Sequence, residues 1–340
     1  MKRSQKTWIL LSIAISSVVI VAVFAATFNV DTLYAILRIN ILFLFGAIAL
    51  RIVSLVFWAL RLKVMTRSLG YDVNLRYLFN TVLVNLFAGA ITPGQAGGDP
   101  VRVHELYKAS VKVGDATAVV IMERVLDGAV LVVMGILAIA ILGPIWNQLG
   151  TGLALAMFLG WIFIAGIIAL IYYSVKKPDP AKAVFKKILE WIERRAPGKT
   201  IRKMIERADD ELENFFSGIR SFTGNSRGLI LGLGCTTGFW VSEFFVASIL
   251  LVALGQPPFI AESYLFQLII AVIMMVPFTP GSSGIAEISA ASLYALIIPS
   301  AVLGMFILLW RGLFFYFNII VGFLASLNTY RQGINSEECD

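Results

Sequence analysis

Histidine is almost missing from this chain, and cysteine is hardly more common: one histidine and two cysteines occur in 340 residues. Cys235 sits in an apolar run and Cys339 near the end, which gives no disulfide framework. His104, the lone histidine, suits a hydrogen-bonded structural group better than a proton relay, and no metal site is suggested. The chain also lacks H-E-x-x-H, G-x-S-x-G and Walker A sequences, so no cofactor is expected, and any transport is expected to be passive or ion-coupled. Charge is scarce as well, at 14% of residues against 59% hydrophobic, with a mean hydropathy of +0.85. A soluble domain of this length could not hide that much apolar surface, so the solvent is mostly lipid. The net charge of +7 does not point to nucleic acid, because the basic residues lie between apolar runs, where they report orientation.

What is present is an all-α polytopic pattern. Full spans are expected near 8–27, 41–62, 116–142, 153–175, 229–254 and 301–327. The first follows a basic N-terminus and reads as an uncleaved signal anchor. Three apolar segments, 78–92, 264–278 and 286–298, are too short to span at 1.5 Å per residue. The second span is read as ending in a basic stretch, Arg61–Arg76. Lys176–Arg227, with Pro197 and Gly198 at its middle, has two stretches of helical periodicity. It reads as a pair of amphipathic helices outside the membrane, separable from the core. That basic segment is a candidate surface for anionic lipid or a cytoplasmic partner. The expected division is 1–175, 176–228 and 229–340. Positive-inside counting and span parity place both termini in the cytoplasm.

One phrase occurs twice. Phe87–Gly98 and Met274–Ile285 both run from an apolar stretch into Thr-Pro-Gly-x-x-Gly. Pro93 is followed 31 residues later by Arg124, and Pro280 is followed 31 residues later by Arg311. By parity the first hairpin dips from inside and the second from outside, which predicts inverted repeats. Proline stops a helix and glycine allows a tight turn. The freed peptide groups cannot face lipid, and helix N-termini beside such breaks suit an anion. Matching interruptions in two halves usually mark a transporter's binding site.

The apolar runs also carry charges. Glu123, Arg124 and Asp127 lie in the third span, Glu243 in the fifth, Arg311 in the last and Arg51 in the second. Glu287 follows the second break. Such residues pair with one another or mark a pathway. Arg124 and Arg311 could neutralise a substrate phosphate with forked donors. Near the first break, Asp99, Arg102, Glu105 and Lys108 are further candidates, with Arg102 placed to collect an anionic headgroup.

Asn85, Pro93, Gly94, Gly97, Gly98, Asp99, Arg102, Glu123, Arg124 and Asp127, then Pro280, Gly281, Gly284, Glu287 and Arg311, resemble the membrane region of lysylphosphatidylglycerol synthases and their stand-alone flippase-like relatives. The likeness covers the chain outside 176–227. It implies a polytopic domain with re-entrant segments that moves polar-headed lipids between leaflets. These residues, with Glu243 from the charged spans, are the expected substrate site, and the expected location is the cell membrane. No aminoacyl-transferase domain follows the last span, so synthase activity is not implied. The expected activity is a flippase for a phospholipid or a polyprenyl-phosphate-linked glycan. The rivals are an intramembrane enzyme on lipid-linked sugar or phosphate, for which Glu123, Asp127 and His104 could serve, and a regulatory membrane subunit.

Overall fold

Asparagine opens, and glycine closes, the two helices on which the bundle is built. The computed structural model describes residues 39–92, 95–146, 199–274, 279 and 281–337, with isolated positions 21, 162, 166, 169 and 173. Helix α1, Ile41–Ser68, starts on Asn40, whose side chain accepts the Leu42 N–H at 3.1 Å. Gly70, at φ +89, ends it, and the Tyr71 N–H returns to the Thr66 carbonyl. The next helices are α2, Leu75–Ala90, α3, Gly98–Lys108, α4, Val113–Trp146, α5, Lys199–Gly224, and α6, Ser226–Ala253. Helix α6 has the same 28-residue length as α1. It too starts on an asparagine, Asn225, and ends at a left-handed glycine, Gly255 at φ +71. Helices α7, Ile260–Met274, α8, Ile285–Tyr294, and α9, Ser300–Arg311, follow. A π-helical turn, Gly312–Tyr316, then leads into α10, Phe317–Glu337.

The described residues contain helices and no strand, as an all-α membrane protein requires. Three of their helical stretches, Ile41–Ser68, Ser226–Ala253 and Ser300–Leu327, are long and apolar enough to cross a membrane. At 28 residues each reaches roughly 42 Å. The expected spans 8–27 and 153–175 and the expected helix near 185–192 lie almost wholly outside the described residues, as do Pro93, Gly94 and Pro280.

Helices α1 and α6 pack side by side and antiparallel. The Asn40 N–H bonds the Ala253 carbonyl at one end, and Gly228 lies against Ser68 at the other. Each is followed by a broken hairpin. The hairpin α2–α3 begins and ends where α1 finishes, because the Tyr77 hydroxyl bonds Glu105 across its open end. The hairpin α7–α8 begins and ends where α6 finishes, because the Gln267 amide and the Ser263 hydroxyl bond the Tyr294 hydroxyl. The two hairpins therefore enter from opposite ends of the α1–α6 pair.

Two apolar cores result. One gathers Leu55, Leu62, Leu78, Val119, Leu126 and Phe222 around the first hairpin. The other gathers Leu131, Leu250, Phe266, Ala290, Phe306 and Trp310 around the second. Asp127 stands on α4 where one core gives way to the other.

Two expectations need correction. Arg61 is not part of a loop: α1 continues to Ser68, and Arg61 is buried and ion-paired within it. A helix end cannot be read from charge alone when a carboxylate elsewhere in the chain neutralises that charge. Helix α5 is not a free-standing piece of an insert. Its Ile219 and Phe222 belong to the first core, the Glu211 carboxylate accepts the Gly114 N–H at 2.6 Å, and a side chain at Gly114 would strike the Glu211 carbonyl. Its apolar face is occupied by α4.

Candidate functional site

The two breaks meet. The Gly281 N–H donates to the Thr92 carbonyl at 3.0 Å, joining the tip of one hairpin to the tip of the other. Gly281 has φ +57, and a Cβ there would lie 2.5 Å from the Ala90 carbonyl oxygen. Glycine is the residue that fits both the turn and the approach. The loops share a further feature: Gln95 at φ 59 and Ser282 at φ 53, each two positions after its proline, are both left-handed. Thr92 ties its loop inward, its hydroxyl donating to the Ala88 carbonyl and accepting the Gly97 N–H at 2.8 Å.

Among the described residues, the loop glycines do not cradle an anion: their N–H groups are taken within the protein. The Gly97 N–H goes to Thr92, the Gly98 N–H to the Gln95 carbonyl and the Gly284 N–H to the Glu287 carboxylate. Gly97 and Gly98 are there for space. A Cβ at Gly97 would sit 2.5 Å from Thr92, and one at Gly98 would sit 2.6 Å from Asn85 Oδ1.

Five arginines lie in the described helical core, and each meets a carboxylate. Removing a charge from water costs several kcal/mol unless a partner compensates it, which is why every one is matched. Around the first break, Arg61 Nε reaches Glu123 at 2.9 Å and its Nη1 reaches Asp127 at 2.5 Å. Arg102 bridges Glu123 at 2.8 Å and Asp99 at 2.5 Å. Arg124 grips Asp99 with Nη2 at 2.6 Å and Nε at 3.2 Å. Trp58 and Trp240 donate their indole N–H groups to Glu123 and Asp127. At the second break Arg311 pairs with Glu287 at 2.8 Å and donates to Ser283. Further along, Arg51 holds Glu243, with Ser54 and Asn318 completing the set.

Of the carboxylates Glu123, Asp127, Glu243 and Glu287, candidate partners of the two repeat arginines, Glu287 meets Arg311, whereas Glu123 and Asp127 do not pair with Arg124. Four residues apart, they share one face of α4 and turn to Arg61 on α1. Arg124, about 100° round the same helix, faces α3 and takes Asp99 instead. The two repeat arginines thereby use one device. Each pairs with the acidic residue in the first turn of the helix that follows its own break, Asp99 in α3 and Glu287 in α8. The acidic residue also suits that helix N-terminus.

Between the tips lies a cavity of about 50 Å³. Arg124 and Arg311 both line it, with Asn85, Gln95, Gly281 and Asn318 among the rest. Trp58, Phe314 and Phe315 supply its aromatic wall, and the Arg311 guanidinium lies over the Phe315 ring at 4.3 Å. Glu243 stands off it, reached only through Arg51 and Asn318. His104 is exposed on α3, outside the cluster, and Glu105 pairs with Lys108 near the hairpin's open end. Among the described residues no group of His, Cys, Asp and Glu is arranged to hold a metal.

Arg61, Trp58, Trp240 and Asn318 were missed as members of this site. Arg61 had a signal in its position just before the end of an apolar run, but it was absorbed into the basic stretch that follows. The π-helical turn directly after Arg311 had none. It breaks the expected continuous last span at a place where such turns often accompany function.

The lysylphosphatidylglycerol synthase transmembrane region, as a family profile, matches residues 9–322, a range that includes 176–227. A UPF0104 membrane protein of Archaeoglobus fulgidus is 32% identical over 320 residues, covering 93% of this chain and 94% of the relative. UPF0104 membrane proteins of Methanothermobacter thermautotrophicus and Methanocaldococcus jannaschii are 23% and 25% identical, each over 84–86% of both chains. No solved structure matches significantly. With a family match over nearly its whole length, this chain belongs to the lysylphosphatidylglycerol synthase transmembrane-region family of helical membrane proteins.

Proposed function

We propose that this protein is a flippase that moves a phospholipid, or a polyprenyl-phosphate-linked glycan, between leaflets. One observation carries the reading. Arg124 on α4 and Arg311 on α9, at matching offsets after two breaks and each on a helix that follows one of the opposed hairpins, come to one cavity. Forked guanidinium donors are suited to a phosphate, and broken helices meeting at mid-depth are how transporters build such sites. In this reading the halves are inverted repeats, the hairpins are re-entrant, both termini are cytoplasmic in the cell membrane, and the cavity lies near the bilayer midplane. Asn85, Gln95 and Asn318 orient the headgroup, while Arg61, Arg102, Glu123 and Asp127 hold Arg124 and Asp99 in register. No covalent chemistry is assigned to any of them.

The test is translocation of fluorescent short-chain phospholipids in proteoliposomes. The reading expects protein-dependent loss of leaflet asymmetry at a rate proportional to protein density. Rates equal to those of protein-free vesicles, with every lipid class tried, would remove it.

A further inference from the structure

We infer that Asp99 is a displaceable counter-ion, and that an anionic phosphodiester enters this site only together with one proton, which Asp99 takes up. The inference rests on the flippase reading and on Arg124 as the phosphate ligand, and adds the charge stoichiometry of the binding step.

The charges of the helical core balance. Arg51, Arg61, Arg102, Arg124 and Arg311 are matched one for one by Glu243, Asp127, Glu123, Asp99 and Glu287. Outside this set the apolar runs 8–27, 153–175 and 275–280 contain no charged residue. The site therefore has no spare positive charge. A phosphodiester that took Arg124's two donors would leave Asp99 facing Arg102 alone, with one negative charge too many in a water-poor setting. A proton on Asp99 restores the balance.

Accessibility singles out Asp99 among the five carboxylates. Its side chain is 32% exposed and its partner Arg124 is 45% exposed, whereas the other four carboxylates range from 0 to 14%. Glu287 is fixed twice over, by Arg311 and by the Gly284 N–H. Arg124 also lines the cavity, so an incoming oxygen and Asp99 compete for the same two donors, Nη2 and Nε. A second observation points to a ligand here. Among the described residues, the Oδ1 of Asn85, a residue only 5% exposed, has no hydrogen-bond partner although Asn85 borders this cavity. It is an acceptor that a headgroup hydroxyl would satisfy.

The charged neighbours of Asp99 are Arg102 on its own helix, Arg124 and Glu123 on α4, Arg61 on α1 behind Glu123, and Arg311 across the cavity. Helix α2 offers it no titratable group at this level, only Asn85 against Gly98. In the step itself, the phosphodiester oxygens accept the Arg124 N–H bonds, the Asp99 carboxylate releases them, and the buffer acid of the aqueous phase gives Asp99 one proton and is left as its conjugate base.

The experiment is calorimetric titration of the detergent-solubilised full chain with short-chain phosphatidylglycerol, whose phosphodiester keeps one negative charge throughout pH 5–8. Buffers of different ionisation enthalpy report the protons exchanged. The expectation is one proton taken up per lipid bound, with affinity falling by about tenfold per pH unit rise. Asp99→Asn should bind without proton uptake and with a flat pH profile, and Asp99→Glu should keep the uptake. Short-chain phosphatidylcholine, which brings its own cation, should bind without it. Dimethyl phosphate binding with the same uptake would support the exchange and assign the site to the phosphodiester alone, without the acyl chains. Arg124-dependent binding with no proton uptake in the wild type would overturn this inference while leaving the flippase reading intact. Binding unchanged in both Arg124→Lys and Arg124→Gln would instead overturn the reading on which it rests.

Discussion

Gly281 and Thr92 are 189 positions apart in the sequence, and a single peptide hydrogen bond of 3.0 Å joins them. That bond holds the tips of two hairpins together, and the cavity lies beside it. The tips can meet only because a residue without a side chain occupies the left-handed position at 281.

Gly281→Ala should therefore be costly. The new Cβ meets both the strained φ and the Ala90 carbonyl, and a loss of about 2–4 kcal/mol is expected. Gly255→Ala is the matched control, with φ +71 but nothing within 4 Å. It should lose only about 1 kcal/mol. Thermal unfolding in one detergent compares the two, and equal losses would mean that the tip contact contributes nothing.

Arg61 is the hub of the buried charges around the first break. Arg61→Met leaves Glu123 with Arg102 alone and Asp127 with no cation, and should destabilise by about 3–5 kcal/mol. Adding Asp127→Asn removes the stranded charge and should recover part of that loss. A double variant no more stable than the single one would show that Asp127 does not depend on Arg61.

Much of this was legible in the sequence, and the reason is physical. A bilayer punishes unpaired charge and freed backbone, so Glu123, Arg124, Asp127, Arg311 and the Thr-Pro-Gly breaks stand out against apolar runs. Which arginine meets which carboxylate was not legible. Pairing depends on helix rotation, and a one-residue step along α4 puts Glu123 between Arg61 of α1 and Arg102 of α3 but leaves Arg124 to Asp99 of α3. Gly97 and Gly98 read equally well as an anion cradle or as space for packing. Only their N–H partners, Thr92 and Gln95, decide between the two. The role of α5 was hidden for a similar reason. An amphipathic face announces that it will be covered, not what covers it, and here α4 does.

Phe222 tests that last point. It is 2% exposed in the first core. Phe222→Ala should cost about 3–5 kcal/mol if α5 is integral to the membrane bundle. A change within about 0.5 kcal/mol, as for a surface site, would return α5 to a detachable module.

The opposite entry of the hairpins has a direct chemical consequence. Asp72 lies in the exposed connection before α2, and Pro257 in the one before α7. Single cysteines at these two positions, in a Cys235→Ser and Cys339→Ser background, should react with an impermeant maleimide from opposite faces of oriented vesicles. Reaction of both from one face would contradict an inverted arrangement.

The central claim is that Arg124 and Arg311 bind a phosphate as a pair, and lysine replacement tests it most directly. Lysine keeps the charge that Asp99 and Glu287 require but loses the planar fork. Arg124→Lys and Arg311→Lys should each slow phospholipid translocation by about tenfold or more while the protein still folds and inserts. Translocation at the wild-type rate in both variants, or a loss of transport that merely follows an equal loss of stability, would contradict the account and leave the arginines as structural ion pairs.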